Sequence, residues 1–179
     1  MRGATLTFLG FAASAVLGQG TSGTSAVSAS CLHFDGLSFF DVRSLKSDQD
    51  LVLTDSTNAK YYFNLCSYPQ VNQCDPTRAA TSFAYLVDGE SCKPLTDNEV
   101  TPMGTEGDSV VFAFPAKENA TCAIEGQTTR PYQLTIKVEC DSEHNTTIPQ
   151  TVDTTDPCKP VLTVTSPKAC PAFSASGFS

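Results

Sequence analysis

An all-β, disulfide-stapled domain is what this sequence predicts, and three observations predict it. Eight cysteines run from Cys31 to Cys170 in a chain of 179 residues. The segment Gln133 to Cys140 alternates apolar Leu134, Ile136, Val138 and Cys140 with polar Gln133, Thr135, Lys137 and Glu139, the period of a sheet with one face on a core. Turn chemistry recurs at Asp35-Gly36, Asp88-Gly89, Glu106-Gly107-Asp108 and Glu125-Gly126, cutting the chain into short extended pieces. Many short strands with regular breaks read as a sandwich or a barrel.

The amino-terminal residues fix the compartment. Met1-Arg2 is a short positive start, residues 4–17 are an apolar run broken by small or hydroxyl side chains, and Val16 and Gly18 suit a signal peptidase. Residues 1–18 are therefore expected to be a cleaved signal peptide, because the run is shorter than the roughly 20 apolar residues that span a bilayer. Residues 19–30, almost wholly Gly, Ser, Thr and Ala, read as a flexible leader with too little apolar surface to offset its ordering entropy. The domain is placed at 31–171 and a short tail at 172–179. No later segment is long and apolar enough to span a membrane, since the run Val110 to Phe114 ends at Pro115.

Within 31–171 the β signals, rich in Val, Phe, Tyr and Thr, fall on Phe39 to Leu45, Asp50 to Leu53, Lys60 to Cys66, Thr81 to Val87, Asp108 to Phe114, Gln133 to Cys140 and Val161 to Thr165. No internal repeat, heptad or amphipathic helix stands out. Two sequons, Asn119-Ala120-Thr121 and Asn145-Thr146-Thr147, make Asn119 and Asn145 candidate glycosylation sites in an exported chain.

Composition narrows the partners. A net charge of −8 and scattered cations argue against nucleic acid and anionic membranes, whose phosphates call for clustered Lys and Arg. There is no C-x-x-C pair and only His33 and His144 are available beside the thiols, so no metal site is expected. An even cysteine count in an exported chain favours full pairing, each bridge contributing about 2–4 kcal/mol, but sequence by itself leaves more than a hundred pairings of eight cysteines open. No nucleophile elbow, H-E-x-x-H or phosphate-binding G-x-x-x-x-G-K is present, so neither catalysis nor a cofactor is expected.

The order of the blocks carries more. Cys31 precedes Phe40-Asp41-Val42-Arg43-Ser44-Leu45. Then come Tyr61-Tyr62-Phe63-Asn64-Leu65-Cys66, Val110 to Phe114 ahead of Cys122, the alternating strand ending Cys140-Asp141, and Cys158 to Cys170-Pro171. This succession resembles the mannose 6-phosphate receptor homology (MRH) domain over residues 31–171, most specifically in the Tyr-x-Phe-Asn-x-Cys block and the spacing of the last three cysteines. The resemblance implies a flattened barrel or sandwich of two antiparallel sheets. It also implies the bridges Cys31–Cys66, Cys74–Cys92, Cys122–Cys158 and Cys140–Cys170.

Sugar-binding members of that family surround the mannose ring with a Gln, an Arg, a Glu and a Tyr, planar or forked polar groups that take vicinal hydroxyls in pairs. Here the Gln is missing, and Tyr85 occupies its approximate slot. The Tyr two positions past the penultimate cysteine is Pro160. The Glu has Asp153 and Asp156 nearby, on shorter arms. Arg130 lies two residues early for the Arg, the same face of a strand but about 6.6 Å displaced along it; its competing reading is an ordinary surface partner of Glu125 or Asp153. Arg130, Asp153 and Tyr85 are therefore the candidate ligand residues. The expectation is a lectin-like module of the secretory or endolysosomal route or the extracellular space that recognises glycoproteins but not mannose 6-phosphate. The alternative is a stapled protein-interaction or structural module with no sugar site. Sorting receptors with this domain also carry a membrane span and a cytoplasmic tail, so this chain is not expected to sort cargo alone.

Overall fold

The computed structural model describes residues 31–36, 38–96, 103–124 and 129–174, the side chains of residues 117–119 and 173–174 excepted. The expected signal peptide and leader, the Glu125-Gly126 turn, the Asn119 side chain and residues 175–179 lie outside the described residues.

Fourteen strands are found among them: β1 (Leu32–Asp35), β2 (Ser38–Asp41), β3 (Leu51–Thr54), β4 (Lys60–Phe63), β5 (Ala84–Asp88), β6 (Ser91–Pro94), β7 (Met103–Glu106), β8 (Ser109–Ala113), β9 (Lys117–Cys122), β10 (Arg130–Tyr132), β11 (Thr135–Cys140), β12 (Ile148–Asp153), β13 (Val161–Ser166) and β14 (Phe173–Ser174). The fold is all-β, its only described helical turns being short 3-10 turns at Arg43–Leu45 and Pro167–Ala169.

Two sheets make the body. One is antiparallel in the order β3-β4-β5-β6; the other has five strands in the order β12-β13-β11-β8-β7. The larger sheet is mixed, which corrects the expectation of two antiparallel sheets. β11 pairs with β13 in parallel, Thr135 opposite Val161 through Cys140 opposite Ser166. The reason lies in the connection: the chain leaving β11 turns back as β12, and β13 then reverses again to lie between them, antiparallel to β12.

The alternation read from the sequence sets the packing. Ile136 and Val138 of β11, Val110 and Phe112 of β8, and Leu162 and Val164 of β13 are buried in one continuous core with Leu53, Tyr61, Phe63, Ala84 and Leu86 of the smaller sheet. Fully burying a side chain of this size is worth about 1.5–3 kcal/mol, so this sandwiched layer is the main source of stability. Burial and the neighbouring Asp55 carboxylate push the Tyr61 phenol far above its ordinary range. Smaller sheets, β1-β2-β14 and β9-β10, flank the sandwich, and Thr105 of β7 donates its hydroxyl hydrogen to Asp35 at the end of β1.

Turn residues behave as their chemistry requires. The β5–β6 and β7–β8 hairpins each have a two-residue loop opened by glycine in the left-handed region, Gly89 at φ +57° and Gly107 at φ +60°. Glycine first and an ordinary second residue is the pattern of type II′ turns, whose twist matches that of paired strands.

Several strand bounds differ from expectation. The run Phe39 to Leu45 stops being a strand at Asp41, where the Asp41 carboxylate accepts from the Arg43 backbone and guanidinium and starts the 3-10 turn. Lys60 to Cys66 ends at Phe63, because Asn64 turns its side chain onto the backbone of Ser47 and Cys66 adopts φ +59°. Thr81 to Val87 begins only at Ala84, Ser82 and Phe83 being engaged by Thr96. Beyond Pro171, Phe173–Ser174 pairs with β2.

All eight cysteines are bridged, as Cys31–Cys66, Cys74–Cys92, Cys122–Cys158 and Cys140–Cys170. These are the four bridges that the family resemblance implies. They tie the flanking hairpins to the sandwich: Cys31 of the β1 end to the turn after β4, and Cys122 of β9 to the loop before β13.

Candidate functional site

Arg130 opens β10, opposite Cys122 of β9, whose bridge to Cys158 brings the loop before β13 alongside. That loop supplies the Arg130 partner. Arg130 Nη2 donates to the Asp156 carboxylate, which also accepts from the Cys158 backbone N–H at 3.0 Å, while the Asp156 carbonyl accepts from Lys159 N at 2.8 Å. The guanidinium is thus tied to the segment that the disulfide holds, and its partner there is Asp156 rather than Asp153; Glu125 lies outside the described residues. Arg130 Nε is buried and makes no hydrogen bond. The two side chains remain 40% and 35% exposed, a setting in which an ion pair contributes little to stability but does fix direction.

Asp153 ends β12 opposite Val161 and is exposed. Its carboxylate accepts from both the hydroxyl and the backbone N–H of Thr155, at 2.7 and 2.8 Å, and these two bonds hold its pKa below the usual carboxylate range. The position expected to carry the family's Tyr, Pro160, is buried, and its carbonyl accepts from Thr135 N at 3.1 Å, continuing the β11–β13 pairing.

Tyr85 lies elsewhere. Ala84 and Leu86 on either side of it point into the core between the sheets, so Tyr85 faces the opposite side of β5. There it is 1% exposed, covered by the loop that the Cys74–Cys92 bridge clamps, and its hydroxyl accepts from Thr81 N at 2.9 Å. It floors a cleft of about 250 Å³ bounded by Asn72, Asp75, Arg78 and Pro94. The loop over it is closed on itself, since Asn72 caps Cys74 N and Asp75 N, and Arg78 pairs with Asp75 at 3.1 Å. Neither Arg130 nor Asp153 lines that cleft. The structure therefore brings Arg130 to the segment that follows Asp153 and puts Tyr85 on another face.

A second, larger cleft, about 440 Å³, went unread in the sequence. It lies between the segment that enters β3 (Ser44, Leu45, Lys46, Ser47, Gln49, Asp50, Leu51) and the start of β12 with the end of β13 (Asn145, Thr146, Thr147, Ser166, Lys168). Asn64 fixes one wall: its Nδ2 donates to the Ser47 carbonyl at 2.8 Å and its Oδ1 accepts from Ser47 N at 3.2 Å. The other wall is fixed by a Thr147–Ser166 hydroxyl bond of 3.0 Å and by the Cys140–Cys170 bridge beyond it. The candidate glycan acceptor Asn145 is exposed on its rim. Its lining comes from three separate segments, and the sequence marked it only piecemeal, through Ser44-Leu45, the Asn145 sequon and the nearby Asn64.

Among the described residues no group of three or more His, Cys, Asp or Glu side chains is arranged to hold a metal, and no helix is long and apolar enough to cross a membrane. His144 Nδ1 is paired with Asp141 at 2.6 Å in the turn after β11, an exposed contact that keeps the Asp141 carboxyl below its usual range.

A four-stranded antiparallel sheet facing a five-stranded mixed one, with this order of four bridges, defines an MRH-like fold. Solved structures agree. The chain is similar to chicken IGF2R domain 11, with a TM-score of 0.58 and 17% identity over 80% of this chain and 93% of that one. It is also similar to domain 11 of the echidna mannose 6-phosphate/IGF2R receptor, determined by NMR, with a TM-score of 0.56 and 15% identity over 79% of this chain and 94% of that one. At these identities the likeness carries the fold alone. No family model matches the sequence, and no curated protein matches it.

Proposed function

We propose that this chain is a non-catalytic, disulfide-stapled recognition module that works in the secretory or endolysosomal route or outside the cell and docks a glycoprotein or protein partner through its surface, without seating mannose 6-phosphate. Four bridges suit an oxidising compartment. The observation that carries the reading is the engagement of Arg130 by Asp156: the guanidinium among the candidate ligand residues is already committed to a carboxylate of its own chain. Pro160 offers no hydroxyl, and the Tyr85 hydroxyl, on another face, is closed under its own loop. Leaving polar partners unmatched in a binding site costs about 1–3 kcal/mol each, and a charged sugar needs several matched together.

A second reading has one observation in its favour. Arg130 Nε is a buried donor without an acceptor, and a neutral high-mannose glycan at a mouth formed by Arg130 and Asp153 would supply hydroxyl oxygens to it only if binding swings the guanidinium off Asp156 and uncovers Nε. Tyr85 contributes to this reading only if its covering loop opens.

The purified domain and its Arg130→Ala variant, screened on a glycan array that carries mannose 6-phosphate and high-mannose glycans, separate these readings. Silence on both ligand classes is the expected result. A high-mannose signal lost in Arg130→Ala moves the assignment to the second reading. A strong phosphate-dependent signal lost in the same variant overturns both.

A further inference from the structure

We infer that the larger cleft, between residues 44–51, 145–147 and 166–168, binds a monoanionic saccharide, one carrying a sulfate ester or a carboxylate. This goes beyond the reading above and does not rest on it, because the cleft is at the other end of the larger sheet. Arg130 and Pro160 stand by the start of β11 and β13, whereas the cleft receives Ser166 and Lys168 from the far end of β13. Five residues of strand separate those ends, about 16 Å.

The cations of this molecule make the first argument. Arg43, Arg78, Arg130 and Lys137 each pair with a carboxylate, and Lys93 lies over the Tyr132 ring. Among the described residues, the lysines without such a partner are Lys46, Lys60, Lys159 and Lys168, and two of these four line this one cleft. Their roots are fixed. Lys46 closes the 3-10 turn Arg43–Leu45, its N–H on the Arg43 carbonyl, and Lys168 sits within the turn Pro167–Ala169, its N–H on Ser166 Oγ. Lysines rooted in short turns beside a concavity have less backbone freedom to lose on binding than lysines on free loops.

The lining makes the second. Ser44, Ser47, Gln49 and Thr146 offer hydroxyl and amide groups, with Leu45 and Leu51 beneath. Mixed donors and acceptors over an apolar floor suit a sugar ring, which has hydroxyls at its edge and C–H groups on its face, and a volume of about 440 Å³ is within the range of small-ligand sites. Charge count selects the anion. Asp50 lines the same cleft, its carboxylate accepting from Gln70 N at 2.7 Å, so two cations and one anion leave a single positive charge. A sulfate ester or a sugar carboxylate neutralises it, while a phosphate monoester, near two negative charges at pH 7, over-compensates it, leaves the occupied cleft net negative in an already acidic protein and loses more hydration on entering. The overall charge of −8 does not abolish the local field, because screening at physiological salt acts over about 8 Å.

The test is an amide chemical-shift titration of the full chain with glucose 6-sulfate, glucuronate, glucose and glucose 6-phosphate. The two monoanions are expected to shift amides of residues 44–51, 145–147 and 166–168 in a saturable, salt-sensitive way, the phosphate more weakly and neutral glucose least. Sulfate and carboxylate arms tell the two sources of charge apart. Both lysines are exposed, so Lys46→Ala and Lys168→Ala together leave the fold intact. They are expected to weaken binding about tenfold, each exposed contact contributing a few-fold. Arg130→Ala is expected to change nothing, which keeps this result separate from that of the glycan array. Asn145 is at the rim, so Asn145→Gln is expected to bind at least as tightly as glycosylated wild type. No shifts, shifts centred elsewhere, insensitivity to the double substitution, or tighter binding by the glycosylated form would each overturn the assignment.

Discussion

Replacing Asn64 by Ala tests whether the most specific block of the sequence is a structural clasp. Asn64 is 2% exposed and its amide makes a reciprocal pair with Ser47, donating at 2.8 Å and accepting at 3.2 Å. Each such bond contributes about 0.5–1.5 kcal/mol net, and Ser47 is partly exposed, so water can take over some of its backbone bonding. The two bonds together give an expected loss of about 2 kcal/mol. For a domain of about 150 residues this lowers Tm by roughly 4–8 °C. Urea unfolding followed by circular dichroism, with bridges intact, measures it as a shift in midpoint at unchanged slope. The same variant frees one wall of the larger cleft, so amide exchange at residues 46–49 should quicken beyond the global change. A destabilisation smaller than about 0.5 kcal/mol, the lower bound for a single such bond, with unchanged exchange there would refute the clasp.

Burial raises the phenols of Tyr61 and Tyr132 above their ordinary range. In absorbance titration a step above the ordinary phenol range should be lost in Tyr61→Phe; the protons of these two leave the unfolded chain first, so stability should fall as pH rises past about 10. At the acid end, Asp41, Asp141 and Asp153 have lowered pKa values, chiefly through hydrogen bonds to Arg43, His144 and Thr155 respectively. The unfolded carboxylates bind protons first. Tm should therefore drop as pH falls below about 4, and the drop should flatten in the triple Asn variant. Gly89→Ala introduces a Cβ that meets no neighbouring atom, so its cost is purely conformational, about 1–2 kcal/mol; a neutral result in thermal unfolding would contradict the left-handed turn.

The strands legible in the sequence are those whose side chains alternate between core and solvent. β11, β8 and β13 show that alternation and fall close to their expected bounds. Among the strands that went unread, three carry little of it. β6 is Ser-Cys-Lys-Pro, β7 contains Gly104, and β12 contains Pro149 and a register shift at residues 149–151. All three are edge strands of their sheets, where Pro, Gly and charge are tolerated because one row of backbone groups needs no partner. Disulfide pairing was legible only through resemblance, since no local rule links Cys122 to Cys158. The separation of Tyr85 from Arg130 was hidden for another reason. Which face of β5 carries Tyr85 depends on register, and a single-residue slip exchanges the two faces.

The insertion of β13 between β11 and β12 governs the order in which this chain can become a folded protein. During synthesis β11 and β12 emerge first, yet neither can complete its pairing until residues 161–166 arrive to fill the gap between them. The last long ribbon of the chain is thus the wedge that closes the larger sheet. Any nascent or truncated form ending before it presents two unzipped borders and an open apolar layer, the surfaces that chaperones hold and that self-association exploits.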